Sequence, residues 1–307
     1  MTATVRDVIA ALEAAYSPAL AESWDAVGLV CGDPAEPVRR VLVAVDPVTE
    51  TVEEALEQDA QLLVTHHPLL LRGVHGVPAD DPKGALVHRM VRAGTGLFCA
   101  HTNADSADPG VSDALALALG LRVTGPLSAR DPLSSAGLPS STGLASSTGL
   151  ASSTGLVSST GLASFTGLGR IGELPQAESL RTFTDRVRDA LPPTAWGVRA
   201  GGDPQRLVRS VAVCGGAGDS LLGEVRRAGV DAFVTADLRH HPASEYLAAG
   251  GPALVDVAHW ASEHPWCAQA ASVVSAVLGG TVDVRVSQRC TDPWTIGAAE
   301  TSGRTSR

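Results

Sequence analysis

Short β-branched runs alternate with amphipathic stretches, and the alternation occurs twice; no other feature narrows the fold as far. Residues 41–45, 62–65 and 97–100 read as strands, and residues 52–56 and 85–91 between them have helical periodicity. The pattern resumes with residues 180–191 as helix, 207–213 as strand and 221–228 as helix. Residues 232–235, 253–257 and 282–286 are the next strands. βαβ alternation implies mostly parallel sheets with helices on their faces. The two halves also match in detail. Val43-Ala44-Val45 is followed by Val64-Thr65-His66-His67, as Val211-Ala212-Val213 is followed by Val234-Thr235-Ala236-Asp237. Ala100-His101 and Ala258-His259 each precede a carboxylate, Asp105 and Glu263, four residues after the histidine. The expected fold is α/β, with two pseudo-duplicated lobes facing a shared metal cleft.

Four segments are expected: a first lobe over residues 1–127, a linker over 128–168, a second lobe over 169–287 and a loosely held tail over 288–307. The first lobe opens with a helix carrying Val5, Val8, Ile9, Leu12, Ala15 and Tyr16 behind a Thr4 cap. In the linker, Thr-Gly-Leu recurs at 142, 148, 154, 160 and 166. A six-residue period can mark a β-helix, but one leucine per copy buries too little to offset chain ordering, so a flexible insert is expected. In the tail, Trp294 and Ile296 are the candidate anchors.

Composition excludes several functions. With 33 Asp plus Glu against 23 Lys plus Arg, the net charge is −10, and no basic cluster offers a duplex nucleic acid its phosphate contacts. No apolar run approaches the roughly 20 residues that cross a bilayer, and the N-terminus lacks the apolar core of a signal peptide. The five cysteines are odd in number and widely spaced. Neither a disulfide framework nor a zinc knuckle is expected, and the default location is the cytoplasm.

In open α/β sheets, polar groups converge beyond the carboxyl ends of parallel strands. Asp46, His66, His67, His101, Asp105, Asp237, His259 and Glu263 all lie at such ends. Imidazole with carboxylate is the ligand chemistry of Zn, Fe or Mn. Adjacent His66 and His67 can serve two ions, and Asp105 and Glu263 can each bridge them. Such a centre lowers the pKa of a bridging water and clamps charge, which is hydrolytic chemistry. Each carboxylate also has a plain role: Asp105 can cap the helix near Pro109-Gly110, and Glu263 suits a helix's first turn. His101 is expected to orient a ligand. His75, His88 and His264 read as ordinary polar residues. Gly215-Gly216-Ala217-Gly218-Asp219-Ser220 reads either as an anion-holding turn or as a tight turn needing positive φ; it lacks the third glycine of a nucleotide fingerprint.

At these positions the chain resembles the NIF-three-like dinuclear-metal proteins, the GTP cyclohydrolase I type 2 homologues. The resemblance rests on Trp24-Asp25-Ala26-Val27-Gly28-Leu29, Thr65-His66-His67-Pro68, Ala100-His101-Thr102-Asn103-Ala104-Asp105, Gly169-Arg170-Ile171-Gly172-Glu173-Leu174, Asp237-Leu238-Arg239-His240-His241, and His259 with Glu263. It departs from the family at Ala26, usually Asn, at Ala236, commonly Gly, and in the hexad repeat. The resemblance implies a homohexameric ring and two divalent metals on residues matching His66, His67, Asp105, His259 and Glu263. It further implies hydrolysis of a small molecule, with GTP ring opening the specific expectation. Asp237, His240 and His241 would then move protons or contact phosphate. A two-metal phosphoesterase and a non-catalytic metal scaffold are the alternatives.

Overall fold

The computed structural model describes residues 2–130 and 165–297. The first half runs α1 (Val5–Ala15), β1 (Gly28–Cys31), β2 (Arg40–Ala44), α2 (Thr49–Glu57), β3 (Leu62–Thr65), α3 (Pro82–Ala93), β4 (Gly96–Cys99), α4 (Thr102–Ser106), α5 (Val111–Ala118) and β5 (Arg122–Ala129). The second runs β6 (Gly167–Ser179), α6 (Leu180–Ala190), β7 (Val198–Gly201), β8 (Leu207–Ala217), α7 (Leu222–Ala228), β9 (Ala232–Ala236), α8 (His240–Ala248), β10 (Ala253–Val257), α9 (His259–Leu278) and β11 (Asp283–Val286). Thr4 is the N-cap residue as expected, but its hydroxyl accepts from no helix N–H; the Asp7 carboxylate instead reaches back and accepts from Thr4 N and Oγ1 at 2.8 and 2.7 Å.

The pseudo-duplication holds element for element. One sheet has the order β1-β4-β3-β2-β11, the other β5-β6-β8-β9-β10-β7. The unit α1-β1-β2-α2-β3-α3-β4 therefore repeats as α6-β7-β8-α7-β9-α8-β10, each with three parallel central strands and one antiparallel edge. The likeness reaches single atoms. Gln61 Oε1 accepts from the backbone of Arg39 and Arg40 at 2.9 and 3.0 Å, and Asp231 Oδ2 accepts from Arg209 and Ser210 at 3.0 and 2.8 Å. Gly32 and Gly202 occupy matching turns with φ of 113° and 134°, a region closed to most side chains.

Strands buried on both faces explain the continuous apolar runs. Along β2, Val41 and Val43 face a core shared by the two sheets, while Leu42 and Ala44 face α2 and α3. Along β8, Val211 and Val213 face the same central core, while Ala212 and Cys214 face the α7 and α8 side. Helix α9 runs through this central layer and touches α1, α5, β2, β8 and β11. No helix of the described residues is long and apolar enough to cross a membrane, and all five cysteines are free.

The sheets do not follow the expected segment boundaries. β11 leaves the second half to pair in parallel with β2, and β5 leaves the first to pair with β6. Each exchange extends a sheet edge that would otherwise be open. Four copies of the hexad lie outside the described residues, but the last, Thr166-Gly167-Leu168, enters β6, where Gly167 pairs with Ala129. A Cβ at Gly167 would sit 2.2 Å from Ser128 O, so close strand approach, not flexibility, accounts for this glycine. The tail is also firmer than expected as far as Gly297. Arg289 Nη2 donates to Glu57 at 2.9 Å, Thr291 Oγ1 to Asp46, and Trp294 stacks tilted on Trp196 at 6.0 Å, whereas Ile296, the other expected anchor, is 92% exposed.

Candidate metal centre

His66 and His67 directly follow β3, whose backbone ladder continues through His66 N to Ala44 O and His67 N to Val45 O. His101 follows β4, Asp105 lies one turn into α4, and His259 and Glu263 are one turn apart on α9, hence on one helix face. The five expected ligands come together, and they converge with His101.

Every imidazole is held from behind by an acceptor. His66 Nδ1 donates to Ala100 O at 2.9 Å, and His67 Nδ1 to Asp46 Oδ1 at 2.6 Å. His101 Nδ1 donates to Asp25 Oδ1 at 2.9 Å, and His259 Nδ1 to Asp237 Oδ2 at 2.7 Å. A partner that can only accept fixes the proton on Nδ1 and leaves the Nε2 lone pair facing inward. Those lone pairs face carboxylates. His67 Nε2 lies 3.0 Å from Glu263 Oε2, His259 Nε2 lies 3.0 Å from Glu263 Oε1, and His66 Nε2 lies 3.5 Å from Glu263 Oε1 and 3.6 Å from Asp105 Oδ1. Glu263 Oε2 is buried and accepts no hydrogen bond, despite its closeness to His67. Lone pairs gathered this way repel one another unless a cation sits among them, which is the donor set that a divalent ion requires. Two such groups overlap at His67: His66, His67 and His101, and His67, His259 and Glu263.

The electrostatics agree. Burial alone would raise the Glu263 carboxyl, but His67, His66 and His259 outweigh it and hold Glu263 well below the usual range. Burial lowers His67 and His259, yet Glu263 and the aspartates behind them prevail, pushing His259 up to about 10. His101 is lowered, first by burial and then by His66, which favours the neutral ligand form. Burial pushes Asp105 up to about 6.

Three sequence expectations change. His101 is not a ligand's support; it offers its own Nε2, and Asp25, from the Trp24-Asp25 motif, supports it. The Asp25 carboxylate is fully buried and also accepts from Thr102 N at 3.0 Å. Asp237 reaches the cluster as the partner of His259, at a φ of 57° that few non-glycine residues adopt. His240 and His241, at the start of α8, are exposed and do not line the cleft. The glycine turn after β8 also gains a reason: a Cβ at Gly216, at φ 66°, would lie 2.4 Å from Glu263 Oε1. The turn is bare because the Glu263 carboxylate fills its space.

The cluster floors a cleft of about 560 Å³ lined from both halves. Asp46, His67 and His101 come from the first; Asp237, His259 and Trp260 come from the second, and Thr291–Trp294 form a wall. Sequence reasoning missed that wall and Lys83, which also lines the cleft, because nothing local marks either as part of a site.

A family model described as Duf34/NIF3 (NGG1p interacting factor 3) matches residues 3–293. The chain is 48% identical over 301 residues to a Streptomyces coelicolor protein named GTP cyclohydrolase 1 type 2 homolog, covering 96% of each. A Mycobacterium tuberculosis protein of the same name is 45% identical over 372 residues of alignment, covering 96% of this chain and 98% of that one. Among solved structures, a Bacillus cereus protein related to NIF3 superposes with a TM-score of 0.80 at 24% identity, over 96% of this chain and 99% of that one. A Staphylococcus aureus hypothetical protein gives 0.78 at 25%, with the same coverage.

Proposed function

This chain belongs to the Duf34/NIF3 family, and from that premise we propose that it is a metal-dependent hydrolase of a small, nucleotide-like molecule. Two divalent ions, Zn, Fe or Mn, would be held by His66, His67, Asp105, His259 and Glu263, with His101 completing the first group. The observation that carries this reading is the inward aim of four Nε2 atoms whose Nδ1 atoms are tied to acceptors, around a buried Glu263 oxygen that accepts no hydrogen bond. When bound, the ions would supply Lewis acidity, making water acidic enough to act near neutral pH and neutralising charge that builds up in the transition state.

The protein's own groups do the rest. Asp25, Asp46 and Asp237 fix the imidazole tautomers, so the ligand geometry exists before any substrate arrives. Asp237 lines the cleft but holds His259, and His240 and His241 do not line it, so this reading gives substrate contact to neither histidine and leaves Asp237 as the support of His259. The shared name of the relatives favours a purine nucleotide and ring opening as the reaction. Incubating purified protein with a panel of nucleotides and phosphoesters, with and without chelator, tests this. The expected outcome is turnover of at least one nucleotide, lost on chelation and restored by one of the three metals. Full metal loading with no turnover on any member would leave a non-catalytic metal scaffold instead.

A further inference from the structure

The chain has 22 arginines and a single lysine, Lys83. That lysine stands in the first turn of α3, exposed, on the wall of the cleft. Among the described residues no carboxylate pairs with it and no hydrogen bond holds it. The other charged side chains lining the cleft are Asp46, Asp237 and Asp292, apart from the clustered histidines. Asp46 is engaged by His67 and Thr291, Asp237 by His259, and Asp292 by the backbone of Trp294. Lys83 is thus the one permanent cation offered to the cleft, and its charge is unspent.

The same cleft is also lined by a pair of tryptophans, Trp196 and Trp294. The Trp196 indole is rigid: its Nε1 donates to Asp256 at 3.2 Å, and the Arg199 guanidinium covers the ring at 4.4 Å from its centroid, itself bound to Asp256 at 2.8 Å. Trp294 leans on Trp196 and remains 60% exposed. A large aromatic ring left in water beside a braced neighbour is a preorganised stacking surface, since holding it costs no further ordering when a ligand arrives.

We infer that Lys83 and the Trp196–Trp294 wall determine what enters the cleft, selecting a small anion that carries a planar ring. The inference rests on the cleft being the substrate site of the hydrolase proposed above, and it assigns roles to residues that hold no metal. The ring would lie against Trp294 and the anionic group would meet the Lys83 ammonium, within the cleft that His67, His101 and His259 also line.

The test is calorimetric titration of metal-loaded protein with guanosine monophosphate, guanosine and ribose 5-phosphate. The monophosphate should bind at least about tenfold more tightly than either half, as base stacking and a phosphate contact each contribute about that much. Lys83→Met should reduce the monophosphate to the affinity of guanosine, and Trp294→Ala should reduce it to that of ribose 5-phosphate. Neither variant should alter metal content. Because Lys83 is the sole lysine, its acylation by an amine-directed ester, read by peptide mass spectrometry, should be slowed by the monophosphate and not by guanosine. Equal binding of all three probes, or variants that bind the monophosphate as the parent does, would overturn the inference. So would a Trp294→Ala protein with altered assembly mass and unchanged affinity, which would make Trp294 a contact between copies. Metal content and turnover are read separately, so failure here leaves the hydrolase proposal to its own test.

Discussion

Among the described residues, Arg170 is the largest charged side chain with no exposure to solvent, and its surroundings explain that. Its guanidinium meets Asp113 Oδ1 at 2.9 Å and Oδ2 at 2.7 Å, and donates to the carbonyls of Gly167, Gly169 and Ala107. The Asp113 carboxylate also accepts from Gly110 N at 2.7 Å, at the start of α5. One side chain therefore ties β6 to α5 and to the segment just after α4. Replacing Arg170 by Met would leave the carboxylate and carbonyls unpaired, and loss of one partner of a buried pair costs about 3–5 kcal/mol. Asp113 keeps some solvent access, so the expected loss in urea unfolding is near the lower end, ~3 kcal/mol; a change below ~1 kcal/mol would contradict this account. Residues differ in how far they can be read from sequence. His66-His67-Pro68 is legible because an apolar strand has no packing use for two imidazoles at its end. Asp25 and Arg170 stand in motifs, but their roles are not legible, because each depends on a group far along the chain: His101 for Asp25 and Asp113 for Arg170.

At the scale of elements, most strands and helices were legible because both sheets bury two faces, which forces continuous apolar runs at their centres. The β1, β5, β6 and β7 strands were harder. They lie toward the sheet edges with mixed exposure, and their glycines and polar residues follow pairing rather than burial. The exchange of β5 and β11 between sheets could not be read locally, since any strand's partner is set by the whole sheet. The β5–β6 pair leads to a prediction about the repeat. Ala129 and Gly167 are register partners, and Arg130 N donates to Thr166 O at 3.0 Å, so the two ends of residues 131–164 are neighbours. Closing that gap takes only a few residues. Deleting residues 140–164 shortens a closed loop, whose entropy varies slowly with length, so the melting temperature should stay within about 3 °C. A fall of ~10 °C or more would show that the repeat packs on the body.

For the whole molecule, the duplication is the route to the site. Two copies of one α/β unit, packed over a common core with α9 between their sheets, bring equivalent strand ends to one cleft. The candidate ligands are divided between the copies: His66, His67, His101 and Asp105 lie in the first and His259 and Glu263 in the second, so an ion held by the group of His67, His259 and Glu263 would join the halves. Glu263 sits at the centre of the cluster, facing His66, His67 and His259 together. The measurement that bears on it most directly is the metal-to-chain ratio, by elemental analysis, of the parent protein and of Glu263→Gln, with circular dichroism confirming that the variant is folded. Two divalent ions are expected per parent chain and, in a folded variant, at most one. Two ions retained in Glu263→Gln, or none bound by the parent after exposure to Zn, Fe and Mn, would contradict the two-metal assignment.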